Sequence, residues 1–372
     1  MARLRVLIVD DSAVIRRLIS EALASDPSIE VASTAPNGKI ALDKIEHLLP
    51  DIVTLDVEMP VMDGLETLRQ IRRKWPRLPV IMFSTLTERG ASTTLDALAM
   101  GASDYVAKPS NSGKLDEGLA AIRSSLIPKI KALCAHLDLA AVRVSRPSAT
   151  RSLPRHVPFS GPVKILAIGV STGGPQALEK IVPRLPAEFS VPVVIVQHMP
   201  KIFTRLLADR LSASSALPVR ECLPGAALSA GQVWIAPGDF HMLLRRVNGG
   251  VVLETNQAPP ENSCRPAVDV LFRSVAEVFG SSVLSVVLTG MGSDGLHGCE
   301  AIHEAGGRIF VQDEASSVVW GMPGAVANAG IADKILPLDE ISGEICRYVE
   351  TSRGRISGVP KARDGKETRA LP

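Results

Sequence analysis

The sequence predicts an α/β protein with two doubly wound parallel-sheet domains. Apolar runs of strand length alternate with amphipathic helical stretches in both halves of the chain, an order typical of parallel sheets covered by helices. A stretch rich in proline and arginine separates the halves, as expected for a linker. At 372 residues, the chain is long enough for two domains of ordinary size.

The first half opens with a buried-strand run, Arg3–Val9, which ends at the acidic pair Asp10-Asp11. Apolar residues at helical spacing follow from Ser12, and strand-like runs then recur four times. These further runs lie at residues 29–32, 51–55, 79–83 and 103–106, with helical patterns near 39–48, 65–74 and 93–100. Five strands in this order predict a flavodoxin-like sheet, whose functional site lies at the carboxyl ends of the strands.

Polar side chains follow four of the five predicted strands of the first half. They are Asp10, Asp11, Asp56, Ser84 and Lys108. Clustered carboxylates repel one another unless a cation neutralises them, and all-oxygen ligands favour Mg²⁺, which also suits phosphoryl transfer. A lysine beside them can hold a phosphoryl oxygen. The pattern therefore predicts a magnesium-dependent phosphoryl site at this sheet edge.

Short segments around these residues occur in an order and spacing typical of one family. The segments are VDDS (9–12), LDVEMPVMDG (55–64), FST (83–85) and YVAKP (105–109). On these segments, residues 1–125 resemble the receiver domain of two-component response regulators. The resemblance implies that Asp56 accepts a phosphoryl group from a histidine kinase and that Asp11 and Asp56 bind Mg²⁺ directly, with Asp10 helping through water. It further implies a switch hydroxyl at Ser84, a phosphate contact at Lys108 and an aromatic side chain at Tyr105 that reorients on activation.

Residues 126–162 are predicted to contain the end of a helix and then the linker. A helical pattern runs from about residue 114 to 137, and residues 143–162 contain four prolines and four arginines. Isolated arginines among prolines are typical of a solvated tether, so we do not expect this segment to bind nucleic acid. The second domain is then expected at residues 163–350, followed by a disordered polar tail at 351–372.

The second half repeats the alternation of strands and helices. Strand-like runs lie at residues 163–168, 192–196, 232–236, 251–254, 283–288, 308–311 and 336–338, and helical patterns lie near 175–185, 202–212, 266–279 and 298–305. Asn248-Gly249-Gly250 is a turn signal between two apolar runs and predicts a local hairpin. We therefore expect a second doubly wound sheet, whose site again lies at the carboxyl ends of its strands.

Three chemically complementary residues each follow a predicted strand of this second sheet. Ser171 lies in the glycine-rich stretch Gly169–Gly174, His198 follows the strand at 192–196, and Asp294 follows the strand at 283–288. A histidine can take the proton of a serine hydroxyl as it attacks, and an aspartate can fix the histidine tautomer. His241 also lies in a turn but has no second partner in this pattern. The chain order of serine, histidine and acid excludes the α/β-hydrolase arrangement that G-x-S-x-G suggests.

Six segments of the second half match one further family. They are GVSTGG (169–174), VQHMP (196–200), IAPGDFHM (235–242), RPAVDVLF (265–272), LTGMGSDG (288–295) and VVWGMPGA (318–325). With the first half, they resemble the chemotaxis-type protein-glutamate methylesterases, which join a receiver to a methylesterase domain. The resemblance implies Ser171 as nucleophile, His198 as general base and Asp294 as orienting acid, with Thr172 and Met291 lining the site and no cofactor there.

The chain departs from this family pattern at two positions near the predicted site. Cys264 precedes Arg265-Pro266 where many relatives have histidine, and Ala267 stands where serine is frequent. We expect neither residue to touch the predicted triad, so the departures would concern the substrate surface rather than the chemistry.

The resemblance implies a phosphorylation-activated serine hydrolase that removes methyl esters from glutamyl residues of chemoreceptors and deamidates specific glutamines there. Its partners would be the methylated cytoplasmic helices of chemoreceptors and a histidine kinase. An unphosphorylated receiver docked over the Ser171 edge would block access, and charge at Asp56 would loosen that contact. The alternative enzyme is a receiver-regulated esterase that acts on methylated proteins outside chemotaxis.

Composition argues against other classes of function. The formal net charge is +2 and aromatic residues make up 3%, so neither a polyanionic partner nor a stacking platform is indicated. A DNA-binding regulator would need a basic helix-turn-helix after the linker, and a non-catalytic adaptor would not need the triad. The beginning of the chain is too short in apolar residues for a signal peptide and no run is long enough to span a bilayer, so we expect a cytoplasmic protein without membrane insertion. The five cysteines contain no C-x-x-C pair, so we expect reduced thiols and no zinc site built from cysteines.

Overall fold

The computed structural model describes residues 3–108, 115–139 and 161–354. The strands of the first half are β1 Leu4–Val9, β2 Ile29–Ala35, β3 Ile52–Asp56, β4 Val80–Ser84 and β5 Asp104–Ala107. Its helices are α1 Ala13–Leu23, α2 Gly38–Leu48, α3 Gly64–Lys74, α4 Glu88–Ala99 and α5 Leu115–Leu139. The five strands form a wholly parallel sheet in the order β2-β1-β3-β4-β5, which confirms the predicted flavodoxin-like topology.

The first four helices of this half begin directly after a polar capping residue. The caps are Ser12, Asn37, Asp63 and Thr87, and each side chain accepts a hydrogen bond from a backbone N–H in the first helical turn. Such caps satisfy donors that a helix end leaves unpaired, so the helices can start close to the strand ends. Three of the four loops between these strands and helices accordingly have only two or three residues, whereas the loop at 57–63, between β3 and α3, is longer.

The second half contains nine strands and six helices within residues 161–354. The strands are β6 Ile165–Val170, β7 Val193–Gln197, β8 Val219–Glu221, β9 Val233–Ile235, β10 His241–Val247, β11 Gly250–Asn256, β12 Val283–Val287, β13 Arg308–Gln312 and β14 Lys334–Leu336. The helices are α6 Gly174–Ile181, α7 Lys201–Ser214, α8 Val268–Phe279, α9 Leu296–Glu304, α10 Met322–Asn328 and α11 Leu338–Gly354.

Seven of these strands form a parallel sheet in the order β14-β13-β12-β6-β7-β9-β8. The other two, β10 and β11, form an antiparallel hairpin that turns at Asn248 and Gly249, as the Asn-Gly signal predicts. The chain moves from β6 to β7 on one side, whereas β12 later pairs with β6 on the other. Doubly wound sheets bind ligands at such a reversal of strand order, which here lies beyond the carboxyl ends of β6, β7 and β12.

The structure differs from the sequence predictions at several elements of the second half. Strand β8 has three residues, too few to give a periodic pattern, and α10 and α11 were also not predicted. The strand expected at residues 336–338 is β14, shifted two residues earlier because Pro337 separates it from α11. Helix α11 includes Thr351–Gly354, so the first four residues of the predicted tail are helical. Residues 140–160 of the predicted linker and 355–372 of the predicted tail lie outside the described residues.

Three helices join the two halves of the molecule. Helix α4 of the first half packs against α6 and α7 of the second, and one buried apolar cluster continues through both sheets. Burial of apolar surface stabilises the contact between the two halves, but the hydrophobic effect is not directional. Polar contacts must therefore fix how the halves are oriented. Among the described residues, no helix combines the length and apolar character needed to cross a lipid bilayer.

Candidate active site and receiver site

Ser171 lies at the sharp turn between β6 and α6. Its N–H donates to the Thr289 carbonyl at 3.0 Å, and its own carbonyl accepts from the Gly174 N–H at 2.8 Å. Gly173 has φ +78, and a Cβ there would lie 2.7 Å or less from Val318. The turn therefore requires glycine at this position both for its backbone conformation and for the close approach of Val318.

His198 and Asp294 meet at the same sheet edge. His198 follows β7 directly, Asp294 lies in the loop after β12, and the His198 Nε2–Asp294 Oδ2 distance is 2.7 Å. Both side chains are largely withdrawn from solvent, with 12% and 3% of their surfaces exposed. A carboxylate at this distance fixes the tautomer of the ring and directs Nδ1 away from itself.

Four donors hold the Asp294 carboxylate. Oδ2 accepts from His198 and from the Val268 N–H at 2.7 Å, while Oδ1 accepts from the Asp269 N–H and from Asn262 Nδ2, both at 3.0 Å. The two backbone donors belong to the first turn of α8, whose dipole favours negative charge. Burial alone would raise the pKa of Asp294, but these hydrogen bonds and the His198 ring lower it.

Cys264 lies on the other side of the His198 ring. Its Sγ is 3.5 Å from His198 Nδ1, the nitrogen that faces away from Asp294. Burial alone would lower the pKa of His198, but the hydrogen bond to Asp294 and the contact with Cys264 raise it to about 9. The resting ring therefore favours the protonated form at neutral pH.

Ser171, Thr172 and Met291, the other predicted residues of this site, form no hydrogen bond with the His198 ring through their side chains. In particular, no hydrogen bond joins the Ser171 hydroxyl to the His198 ring. The backbone N–H of His198 does donate to the Val170 carbonyl, which brings the two turns side by side. Thr172 is buried, and Met291 lies in the loop that carries Asp294 with 36% of its surface exposed. The serine, histidine and aspartate thus lie at three adjacent strand ends, and only the histidine–aspartate pair is hydrogen-bonded.

The first sheet gathers its predicted residues around Asp56. Lys108 Nζ lies 2.7 Å from Asp56 Oδ2 and 2.9 Å from Asp10 Oδ2. Asp56 is buried, and burial together with the neighbouring Asp10 carboxylate raises its pKa to about 6, although Lys108 opposes the shift. A cavity of about 260 Å³ opens beside it, lined by Asp11, Asp56, Ser84, Lys108 and four neighbours.

The donor chemistry of this cluster fits Mg²⁺. Asp10, Asp11 and Asp56 each place a carboxylate oxygen within 4.8 Å of the others. Such an all-oxygen set suits a hard divalent cation, and receiver domains in general use Mg²⁺ at the phosphorylation site. Ser84 Oγ donates instead to the carbonyls of Gly90 and Thr85, at 3.1 and 3.3 Å, and so is turned toward α4.

Tyr105 connects the first sheet with the second half of the chain. Its ring stacks on Phe203 of α7 with centroids 4.5 Å apart and an interplanar angle of 25°. The preceding residue, Asp104, accepts a hydrogen bond from Thr172 Oγ1 at 2.8 Å and forms an ion pair with Lys129 at 2.7 Å. The edge of the first sheet therefore contacts the residue that follows Ser171.

Sequence reasoning missed the residues that hold these groups in place. Asn262, Asp104 and Phe203 lie far from their partners in the chain, so no local pattern connects them. The only available signal was the polar, proline-flanked stretch 259–264, which is typical of a turn. The prediction that Cys264 does not touch the triad is wrong, because the turn at residues 261–264 places its Sγ 3.5 Å from His198 Nδ1.

Comparison with known proteins identifies both halves. A family model described as the CheB methylesterase matches residues 166–345, and one described as the response regulator receiver domain matches residues 6–120. Among curated relatives, a protein-glutamate methylesterase/protein-glutamine glutaminase of Trichodesmium erythraeum is 53% identical over 352 residues, covering 94% of this chain and 100% of the relative. One of the same name from a Nocardioides species is 51% identical over 367 residues, covering 97% of this chain and 99% of the relative. Both predicted resemblances are confirmed, and the chain belongs to the CheB methylesterase family, with a receiver domain before its methylesterase domain.

Proposed function

We propose that the chain hydrolyses methyl esters of glutamyl residues in chemoreceptors and deamidates receptor glutamines, under control of phosphorylation at Asp56. The observation that carries the proposal is the 2.7 Å contact between His198 Nε2 and Asp294 Oδ2 beside the Ser171 turn. The names of the relatives support both the ester and the amide substrate. Both reactions are acyl transfers and need the same nucleophile and base.

In the proposed mechanism, Ser171 Oγ attacks the ester carbonyl while its proton passes to His198 Nδ1. The carbonyl–methoxy bond then breaks, and His198 returns the proton to the departing oxygen to give methanol. Water repeats the sequence on the acyl-enzyme and releases a glutamyl carboxylate. With a glutamine side chain the leaving group is ammonia. Because Nδ1 faces Cys264 in the resting structure, the Ser171 hydroxyl must turn toward Nδ1 in the substrate complex.

Two backbone amides are candidates for stabilising the oxyanion. The N–H groups of Ser171 and Gly290 already donate to the carbonyls of Thr289 and Val319. The amides of Thr172 and Met291 donate to no acceptor among the described residues. They belong to the two loops that flank Ser171, so we assign the oxyanion contacts to them.

We further propose that the receiver covers this site until Asp56 is phosphorylated. The Thr172–Asp104 hydrogen bond and the Tyr105–Phe203 stack hold the edge of the receiver against the segment beside Ser171. A phosphoryl group on Asp56, supplied by a histidine kinase with Mg²⁺ held by Asp10, Asp11 and Asp56, would draw Ser84 and Lys108 toward its oxygens. Rearrangement of Ser84 would free space for Tyr105 and weaken the stack on Phe203.

The test measures methanol released from methyl-labelled chemoreceptor membranes by the full chain. Ser171→Ala and His198→Gln should remove the activity, whereas Ser281→Ala, at an exposed serine before β12, should retain it. Wild-type release in Ser171→Ala would refute the nucleophile assignment. Release from other methylated proteins but not from receptors would favour the esterase outside chemotaxis.

A further inference from the structure

A four-residue turn, Glu261–Cys264, approaches the His198 ring from the side opposite Asp294. Glu261 and Cys264 exchange two backbone hydrogen bonds of 3.1 and 2.8 Å, and Arg273 anchors Glu261 through contacts of 2.7 and 2.6 Å. Asn262 and Ser263, between them, have φ +52 and +61. The turn is therefore fixed at both ends, and it holds Cys264 Sγ 3.5 Å from His198 Nδ1.

This separation matches two ligands of one tetrahedral metal ion. Zinc binds cysteine sulfur at about 2.3 Å and histidine nitrogen at about 2.0 Å, so two such ligands lie roughly 3.5 Å apart at the tetrahedral angle. A thiolate and an imidazole are also the ligand types that zinc and similar soft or borderline cations prefer. Cys264 is partly exposed, whereas Cys134, Cys222 and Cys299 are buried, so a cation can reach it from solvent.

The other ring nitrogen of His198 already contacts a carboxylate, the partner that metal-binding histidines usually have. His198 Nε2 contacts Asp294 Oδ2 at 2.7 Å, and Asp294 is itself held by the backbone donors of α8. A carboxylate on the distal nitrogen fixes the tautomer and leaves the other nitrogen as ligand. Ligand atoms of His198, Cys264 and Asp294 all lie within 4.8 Å of one another.

We propose that Cys264 and His198 form an inhibitory site for a thiophilic divalent cation of the zinc type, with Asp294 as the outer partner of His198 and water completing the coordination. On binding, the thiol proton and the Nδ1 proton of the protonated His198 ring both pass to solvent, and sulfur and Nδ1 each donate a lone pair to the metal. The metal then occupies the nitrogen that must accept the Ser171 proton. The proposal goes beyond the hydrolase function, and its binding step requires no ester substrate.

The test uses Co²⁺ as a spectroscopic probe of the full chain, because a thiolate–cobalt bond gives a near-ultraviolet charge-transfer band that the oxygen ligands of the receiver site do not give. Wild type should show this band with an intensity that saturates at one bound Co²⁺ per chain. Cys346→Ser, which alters the other partly exposed cysteine, should behave in the same way. Cys264→Ser should lose it. Absence of the band in wild type, or its persistence in Cys264→Ser, would overturn the proposal.

A second measurement asks whether the bound metal inhibits. Methanol release is titrated with Zn²⁺, and each variant is normalised to its own zinc-free rate. Half-inhibition should need at least about tenfold more zinc in Cys264→Ser than in wild type, a loss of about 1.4 kcal/mol in binding free energy. Equal sensitivity of the two proteins would contradict an inhibitory role for Cys264. If no variant shows esterase activity, the cobalt band still tests the binding site by itself.

Discussion

The Thr172 hydroxyl donates a hydrogen bond of 2.8 Å to Asp104 Oδ2, which joins the residue after Ser171 to the last strand of the receiver sheet. The same carboxylate oxygen also pairs with Lys129 on α5 at 2.7 Å. Thr172 is buried at this contact, with 6% of its surface exposed. A single receiver side chain is therefore shared between the receiver's own last helix and the loop of the proposed nucleophile.

Asp104→Asn should raise the basal rate of methanol release from unphosphorylated protein. A hydrogen bond to a charged group contributes about 1.5 kcal/mol, so weakening it should increase the undocked population by up to about tenfold. Phosphorylation should then give a correspondingly smaller further increase. Asp43→Asn, an exposed carboxylate on α2, serves as the control and should behave as wild type. A basal rate in Asp104→Asn no higher than that of wild type would argue against a docked inhibitory receiver.

Asn262→Gly should lower kcat by about tenfold with little effect on KM. Asn262 Nδ2 donates to both Asp294 and Asp269, and glycine keeps the left-handed backbone while removing this donor. The loss acts on Asp294 and through it on His198, so Asn262 is a positioning residue. Ser263→Gly is the matched control because Ser263 has the same backbone conformation. Equal kcat values in the two variants would show that Asn262 does not position Asp294 and His198.

Esterase activity of the unphosphorylated chain should rise with pH up to about pH 9. The general base must be neutral, and the pKa of His198 is raised to about 9 because Asp294 and Cys264 outweigh the opposing effect of burial. Cys264→Ala removes one of these contributions and should move the midpoint of the kcat/KM profile to lower pH. Profiles are measured in metal-free buffer. Identical midpoints in the two proteins would show that the thiol does not influence the ring.

Asp56→Asn should stabilise the protein at neutral pH. The pKa of Asp56 is raised to about 6 by burial, so the folded protein holds this proton more tightly than the unfolded chain does. Ionising the carboxylate between about pH 4 and pH 6 therefore reduces the free energy of unfolding, by roughly 3 kcal/mol in total. Asparagine does not undergo this ionisation.

The gain from this substitution should consequently be larger near pH 7 than near pH 4.5. Urea unfolding midpoints of the full chain in Mg²⁺-free buffer measure it, with Asp43→Asn as the control for a surface carboxylate. A constant difference between wild type and Asp56→Asn at both pH values would be inconsistent with a raised Asp56 pKa.

Patterns local in sequence predicted both parallel sheets and the residues at their carboxyl edges. Buried strands of both sheets form continuous apolar runs. Ser171 and His198 directly follow two of them, and Asp294 lies in the loop after a third. The sequence predicted which strand ends carry chemistry because parallel strands share one carboxyl edge. It did not predict the short elements β8 and α10, whose apolar patterns are too brief to distinguish.

Contacts between distant segments lay beyond sequence reasoning. Asp104 meets Thr172 across 68 residues of chain, and Cys264 meets His198 across 66. No periodicity or motif connects such pairs, because their distance depends on how the receiver docks and how one loop turns. Docking of the receiver over the Ser171 edge was expected from the sequence, but the Thr172–Asp104 contact and the thiol beside His198 became visible only in three dimensions.

The most direct test of the account is the rate at which a fluorophosphonate labels Ser171 in the full chain. The reagent forms a stable bond with an activated serine hydroxyl, and peptide mass spectrometry identifies the labelled residue. We predict a single label on Ser171, at a rate that increases when Mg²⁺ and a small acyl phosphate convert Asp56 to its phosphorylated form. The increase should be absent in Asp56→Asn. Labelling at another serine, or a Ser171 rate that does not respond to phosphorylation of Asp56, would contradict the account.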